Sequence, residues 1–336
     1  RTVVGSHLFW DQFADITVNR LVNPGKGEPF LIVADPKNDL NLAEALLSAG
    51  LRSGANTTLI VKDWYEEGTV SDPGPIVNNA VLNSKYVLTL CGGMVRAPAM
   101  QEARRNGTRH LSTVVEGIED YCIAALLNVD LDKMFENADI IAKLWEETDE
   151  CRVTSPYGTD ISFKMGGRPS LVSDGALTYD GEVDFYPGAQ VSIAPLEESI
   201  NGEIVVDASD NVSGLVHNNY SLIVVDGVIT EVVGSGEGDS MRTWLATRND
   251  DVIYKICHFS IGLNPQAGIS GHLMEDERVL ASVDFGFGYQ DPKFAGTVGY
   301  SPYHADIMMA NPDIYLDGKL MSSANRLEDG YGFHHL

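Results

Sequence analysis

The chain runs to 336 residues, 44% of them hydrophobic, with 33 glycines and 14 prolines, enough to bury a sizeable core in one large domain or two and to turn often. Its formal charge of -25, from 23 basic against 48 acidic residues, argues against nucleic acid and against an anionic membrane surface, both of which would repel it, and favours a small-molecule partner. No run of about 18 apolar residues offers a membrane span, and the opening RTVVGSHLFWDQF carries no charged-then-apolar leader.

After an amphipathic opening, PFLIVADP at 29–36 reads as a short buried strand. NLAEALLSAGLRSGA reads as a helix, with Leu42, Ala45, Leu46 and Ala49 at three- and four-residue steps and Gly50 and Gly54 ending it. TTLIVKD is a second strand, a helical segment covers Pro75 to Ser84, and YVLTLC is a third strand. This alternation predicts a parallel sheet covered by helices. The turn CGGMVRAPAMQEARRNG lacks the glycine spacing of a dinucleotide fingerprint and the Lys-Ser/Thr of a phosphate loop. Within it, Arg96 stands just ahead of the helix-starting Pro98, as a surface charge or as a substrate-binding residue beside a helix N-terminus. TRHLSTV is a further strand, with His110 inside it as a core histidine or a catalyst. Asp130 caps a strong helix whose Leu131, Met134, Phe135, Ala138, Ile141, Ala142 and Trp145 share one face, and the acidic EETDE after it marks a domain boundary.

From Cys151 the pattern changes to short strands punctuated by glycine: CRVTSP, TDISFKM, QVSIAP, GEIVVDAS and YSLIVVDGVITEVV, with a turn at Asp226-Gly227. The expected fold is therefore α/β: an N-terminal α/β domain with a mostly parallel sheet at 1–150, and a C-terminal β-rich (α+β) domain at 151–336. The glycines of GSGEGDS read as a flexible turn into the helix SMRTWLATR. The loop SDGALTYDGEVDFYPGAQ carries Asp174, Asp180, Glu182 and Asp184, solvated carboxylates of which one is a candidate partner for the second N–H of a metal-ligating histidine. Cys91, Cys122, Cys151 and Cys257 form no CxxC pair, so they read as buried thiols in a reducing, cytoplasmic setting.

Chemistry concentrates between residues 254 and 309, which hold His258, His272 and His304 among glycines and aromatic residues. On an extended segment, side chains two apart point the same way, so His304 and Asp306 can grip one ion together. With His258 as the leading third ligand, they would form the two-histidine, one-carboxylate face that leaves positions open on a non-haem Fe(II). His272 falls in the polar SGHLMEDER loop and is left out. The tail GYGFHHL is either frayed or lays Tyr331 or Phe333 over a pocket.

The runs YPGAQVSIAPLEESINGEIVVD, HFSIGLNPQAGISGHLMEDERVLASVDFGFG and YSPYHADIMM, in that order, resemble the superfamily that joins thermophilic leucyl-aminopeptidase-like metallopeptidases to 2,5-dihydroxypyridine 5,6-dioxygenases. The resemblance implies a two-domain layout whose C-terminal domain binds metal. It also implies several carboxylate and histidine ligands for two ions in the peptidase branch. Gln190, His258 and Asp284 stand where that branch has glutamate, glutamate and histidine, which fits one Fe(II) better than two zinc-type ions.

The dioxygenase branch implies His258, His304 and Asp306 as iron ligands and ring opening of 2,5-dihydroxypyridine by O2 to N-formylmaleamate. A base is needed as the ring becomes electron-rich, with His110, Asp284 and Glu182 as candidates, and Tyr303 is placed to donate a hydrogen bond to an oxygen in the site. Where the family tends to carry an N-terminal histidine, this chain has Arg96. The expected partners are a small aromatic substrate, O2 and further copies of the chain in a homo-oligomer. A metal-dependent aminopeptidase or amidohydrolase is the alternative, and a metal-free binding protein the third reading.

Overall fold

The computed structural model describes residues 7–63, 72–90 and 94–336, with side chains from Phe9 onward, so the CGG turn and Cys91 lie outside the described residues. The chain divides into two compact units, one of residues 1–129 with 173–188 and one of residues 130–172 with 189–336. This differs from a single cut at 150, for two physical reasons. The stripe of the helix Leu131–Glu147 is apolar enough to be buried, and it packs in the second unit, with Trp145 5.0 Å from Phe259 between ring centroids. The stretch read as a loop at 173–190 contains the strand Val183–Phe185, which pairs in parallel with Arg109–Ser112 and so completes the first unit's sheet.

In the first unit the strands lie in the order Asn56–Val61, Pro29–Ala34, Tyr86–Thr89, Arg109–Ser112 and Val183–Phe185, every pairing parallel. Apolar runs such as PFLIVA belong in a sheet covered by helices, and all but Pro29 of that run are buried. Asp39 starts the helix Leu40–Ser53 by accepting from the Asn41 N–H, and Gly54 ends it in a left-handed turn. Gly50 does not end that helix. It lies inside it, where a Cβ would come within 2.6 Å of Thr57 Oγ1, so its role is close packing of helix on strand. Pro75 begins the helix Pro75–Leu82 and Pro98 begins Pro98–Arg105, as first-turn prolines do.

The second unit carries two large sheets. One has eight antiparallel strands, with Val228–Val233 at one edge. The other runs in the order Gly214–Leu215, Ser209–Asp210, His304–Met309, Val283–Gly288, Ile256–Gly262, Gln190–Ile193 and Leu171–Ser173. Their facing sides form an aromatic core: Phe163 of the first sheet lies 5.0 Å from Phe259 and 5.9 Å from Phe285 of the second.

The glycines of GSGEGDS do not form a plain turn. Glu237 begins the helix Glu237–Arg248 and accepts from the His217 N–H, while Asp239 accepts from the Gly236 N–H, acidic groups at a helix start that offset its unpaired donors. From that helix Arg242 donates to the carbonyls of Val232 (2.6 Å) and Gly234 (2.8 Å), at the end of the edge strand. The C-terminal tail is tied down. The Asn137 side chain donates to the His334 carbonyl (3.0 Å) and accepts from its N–H (2.7 Å), and Tyr331 pairs with Phe333. Among the described residues no helix is long and apolar enough to cross a membrane.

Candidate metal centre

Three neighbouring strands of the seven-stranded sheet set out the site. Their antiparallel register places Gly286 opposite both His258 and Asp306, Gly288 opposite His304, and Asp284 opposite Ser260. Because strand side chains alternate, one face takes His258, Ser260, Asp284, His304 and Asp306, and the other takes Phe259, Ile261, Val283, Phe285, Phe287 and Ile307, all buried in the core. The glycines of DFGFG have a steric reason. A Cβ on Gly286 would stand 2.1 Å from His258 Nε2, so only a residue without a side chain lets that imidazole lie over the strand.

The ligand atoms converge. His258 Nε2 lies 3.1 Å and His304 Nε2 3.0 Å from Asp306 Oδ1, and the two nitrogens are 3.4 Å apart. The other ring nitrogens face away from Asp306. His304 Nδ1 is 2.9 Å from the Tyr289 carbonyl, which can only accept, so Nδ1 carries the hydrogen. His258 Nδ1 faces the Asp284 carboxylate at 3.4 Å and the Ser260 hydroxyl at 3.1 Å. Both Nε2 atoms point at one carboxylate oxygen, a place for a proton on each ring or for one cation shared among the three. Metal bonds of about 2.1 Å at right angles hold ligand atoms about 3.0 Å apart, so the spacing fits an open three-ligand face.

The electrostatics agree. Burial alone would lower both imidazoles, but Asp306 outweighs it and, when the proton is the only cation on offer, lifts His258 to about 9 and His304 to about 10. Asp306 is itself held well below the usual carboxylate range by the two rings, against its burial. Behind His258, Asp284 is buried and accepts from Gln190 Nε2 at 2.9 Å, and burial, eased by His258, raises its carboxyl to about 6. Cys257 Sγ lies 3.7 Å from His304 Nδ1, the ring nitrogen turned away from Asp306, and its thiol is pushed up by burial.

The residues singled out in the sequence divide sharply. His258, His304, Asp306 and Asp284 come together in the second unit. Tyr303 also belongs there, but its ring lies under the Arg248 guanidinium, 5.0 Å from it, and that guanidinium lies equally over Trp244. Arg96, His110 and Glu182 belong to the first unit. Arg96 is exposed. His110 is fully buried, with Nε2 2.9 Å from the Thr89 hydroxyl. The Glu182 carboxylate closes its own turn by accepting from the N–H groups of Thr178 and Tyr179. Asp180 pairs with Lys85 and Arg109, and Asp184 accepts from the Gly175 and Phe185 N–H groups, also in the first unit. Cys122, Cys151 and Cys257 are buried.

The SGHLMEDER segment, read as a loop, contains a one-turn helix, Leu273–Asp276, and His272 only precedes it. Sequence reasoning passed over Glu277 and Arg278, whose side chains pair with each other beside the site. The signal was an arginine next to three acidic residues in a chain short of cations.

A family model described as 2,5-dihydroxypyridine 5,6-dioxygenase (NicX) matches residues 17–329. A curated 2,5-dihydroxypyridine 5,6-dioxygenase from Pseudomonas putida KT2440 is 28% identical over 238 residues, 67% of this chain and 66% of that protein, just under two thirds of its length. Among solved structures, that of the 2,5-dihydroxypyridine dioxygenase from Pseudomonas putida KT2440 shares the fold at a TM-score of 0.77 and 20% identity, over 96% of this chain and 97% of the other. Wild-type AmpT from Thermus thermophilus shares it at 0.67 and 16% identity, over 95% and 99%.

Proposed function

The chain belongs to the 2,5-dihydroxypyridine 5,6-dioxygenase family, and from that premise we propose that it opens a hydroxylated N-heteroaromatic ring with O2. The reaction we assign takes 2,5-dihydroxypyridine to N-formylmaleamate, with both oxygen atoms entering the product. His258, His304 and Asp306 would hold one Fe(II), and the observation that carries this is the convergence of two imidazole Nε2 atoms and one carboxylate oxygen within 3.4 Å of each other. A bound ferrous ion supplies open positions that bring ring and O2 together and lets electron density pass between them.

The chain's own residues do the rest. The Tyr289 carbonyl orients His304, Asp284 lies behind His258 and is held by Gln190, and Gly286 keeps the cradle open. Phe294, stacked on His258 at 5.8 Å, gives the site an apolar wall that helps keep water from the ring.

Against the hydrolase alternative stands Gln190, a neutral amide that donates to Asp284 Oδ1 and adds no anionic ligand for a second ion. The test is anaerobic loading of the protein with Fe(II) and 2,5-dihydroxypyridine. The ring should persist until O2 is admitted and then be consumed with one O2 per ring. Cleavage of aminoacyl anilides without oxygen would overturn the reading in favour of a hydrolase. Uptake of less than about a tenth of an ion per chain would leave only a binding protein.

A further inference from the structure

Resting on the ring-opening reading above, we propose that Glu277 accepts the proton that the ring hydroxyl gives up in the site. The segment Asp276-Glu277-Arg278 is built to present it. Asp276 is fully buried and its carboxylate accepts from the Ser209 hydroxyl and from the N–H groups of Ser270 (2.7 Å) and Gly271 (3.1 Å), which pins the segment. Gly262 lies on the same strand face as His258 and Ser260, and a Cβ there would meet the Glu277 carbonyl at 2.6 Å and the Val279 carbonyl at 2.4 Å. The segment therefore lies directly against the face that carries the three ligands.

Exposure separates the candidate bases. The Asp284 side chain is 1% exposed, is bonded to Gln190 and faces the far nitrogen of His258, so a ligand entering from solvent does not reach it. The Glu277 side chain is 14% exposed, as open as that of His258 at 13%, while its partner Arg278 is 2% exposed behind it. With the ion bound, His258 and His304 would have their Nε2 atoms committed to it, which leaves Glu277 as the accessible acceptor. Burial, with Asp306 and Asp284 beside it, raises its proton affinity against the pull of Arg278, and a divalent cation on those carboxylates would offset that rise and leave Glu277 ionised to accept.

In the transfer the ring O–H bond breaks, its electron pair stays on the ring oxygen, and the proton ends on a Glu277 oxygen. Charge also balances. Ionised Asp284, Asp306 and Glu277 with Arg278 sum to two negative charges, which a divalent cation would cancel, and moving a proton from a neutral ring to Glu277 leaves the total over these groups and the ring unchanged.

The test compares Fe(II)-loaded wild type with Glu277→Gln and Glu277→Asp. On anaerobic addition of 2,5-dihydroxypyridine in weak buffer, the wild type should show the ring anion's absorbance without releasing a proton to a pH indicator. In Glu277→Gln the ring should stay neutral or release its proton to the buffer, and kcat should fall on the order of 100-fold with iron content and KM near wild type. Glu277→Asp, which keeps the charge beside Arg278 and withdraws the oxygens, should lose roughly tenfold in kcat and keep its iron. If Glu277→Gln does not fold, the Asp variant decides, and an undiminished rate there overturns the proposal. A Gln variant that works at full rate beside an active wild type overturns this inference alone, and one that loses its iron overturns it by making Glu277 a ligand. A wild type that takes up neither iron nor O2 overturns the underlying reading and this inference with it.

Discussion

The strand Arg109–Ser112 in the first unit and the strand His304–Met309 in the second each take an imidazole out of water, with opposite outcomes. Around His110 the structure offers a hydroxyl and, through space, the cation of Arg104, so burial wins and its pKa falls to about 3. Around His304 it offers Asp306, so the ring is drawn toward positive charge, to about 10. Burial alone makes a silent histidine. A carboxylate held at one ring nitrogen, with a carbonyl at the other, turns the same side chain into half of a cation site.

The harshest way to break that contrast is to remove the carboxylate or the ring. Asp306→Ala and His304→Ala should each abolish stoichiometric metal uptake, measured by elemental analysis, and lower ring opening by roughly 1,000-fold or more, with far-UV circular dichroism nearly unchanged. Unfolding of both variants would show that the cluster is structural instead. A milder change leaves every ligand in place and fills the cradle. Gly286→Ala puts a methyl group where His258 Nε2 lies 2.1 Å away, so the ring must swing aside. Metal affinity in a competition titration should weaken by about 10- to 100-fold, the scale on which misoriented ligands act.

The smallest effect sharpens the other half of the comparison. A histidine whose folded pKa of about 3 lies below its unfolded value binds fewer protons folded than unfolded between those values. Its contribution to stability is therefore complete above about pH 6.5 and is lost as pH falls toward 3, with a slope of at most about 1.4 kcal/mol per pH unit. His110→Gln can keep a hydrogen bond to Thr89 without titrating. Urea unfolding of that variant between pH 4 and 7 should show a flatter acid limb than the wild type, and parallel curves would refute the assignment.

Much of this was legible in the chain. The alternation of strand and helix through residue 112 gave the parallel sheet, and the two-residue step from His304 to Asp306 gave a shared direction that any strand enforces. What stayed hidden depends on pairing between distant segments. No local period says that Gly286 will face both His258 and Asp306, or that Val183–Phe185 will return to the first unit's sheet. Glu277 was hidden for a different reason: in a chain this acidic, the arginine beside three carboxylates is a faint signal until its burial is seen. Tyr303 looked well placed as a neighbour of His304, yet its ring carries Arg248, since adjacency in sequence does not set a side chain's direction.

The edge strand Val228–Val233 has a consequence for how the protein behaves when concentrated. Exposed strand edges are templates on which further chains can zip into fibrils, and Val233 at this one is half exposed. With Arg242 holding the Val232 and Gly234 carbonyls while paired with Asp239, a newcomer finds those acceptors occupied and an ion pair at the lip. Arg242→Ala should thus be visible as turbidity on storage well before any change in metal uptake.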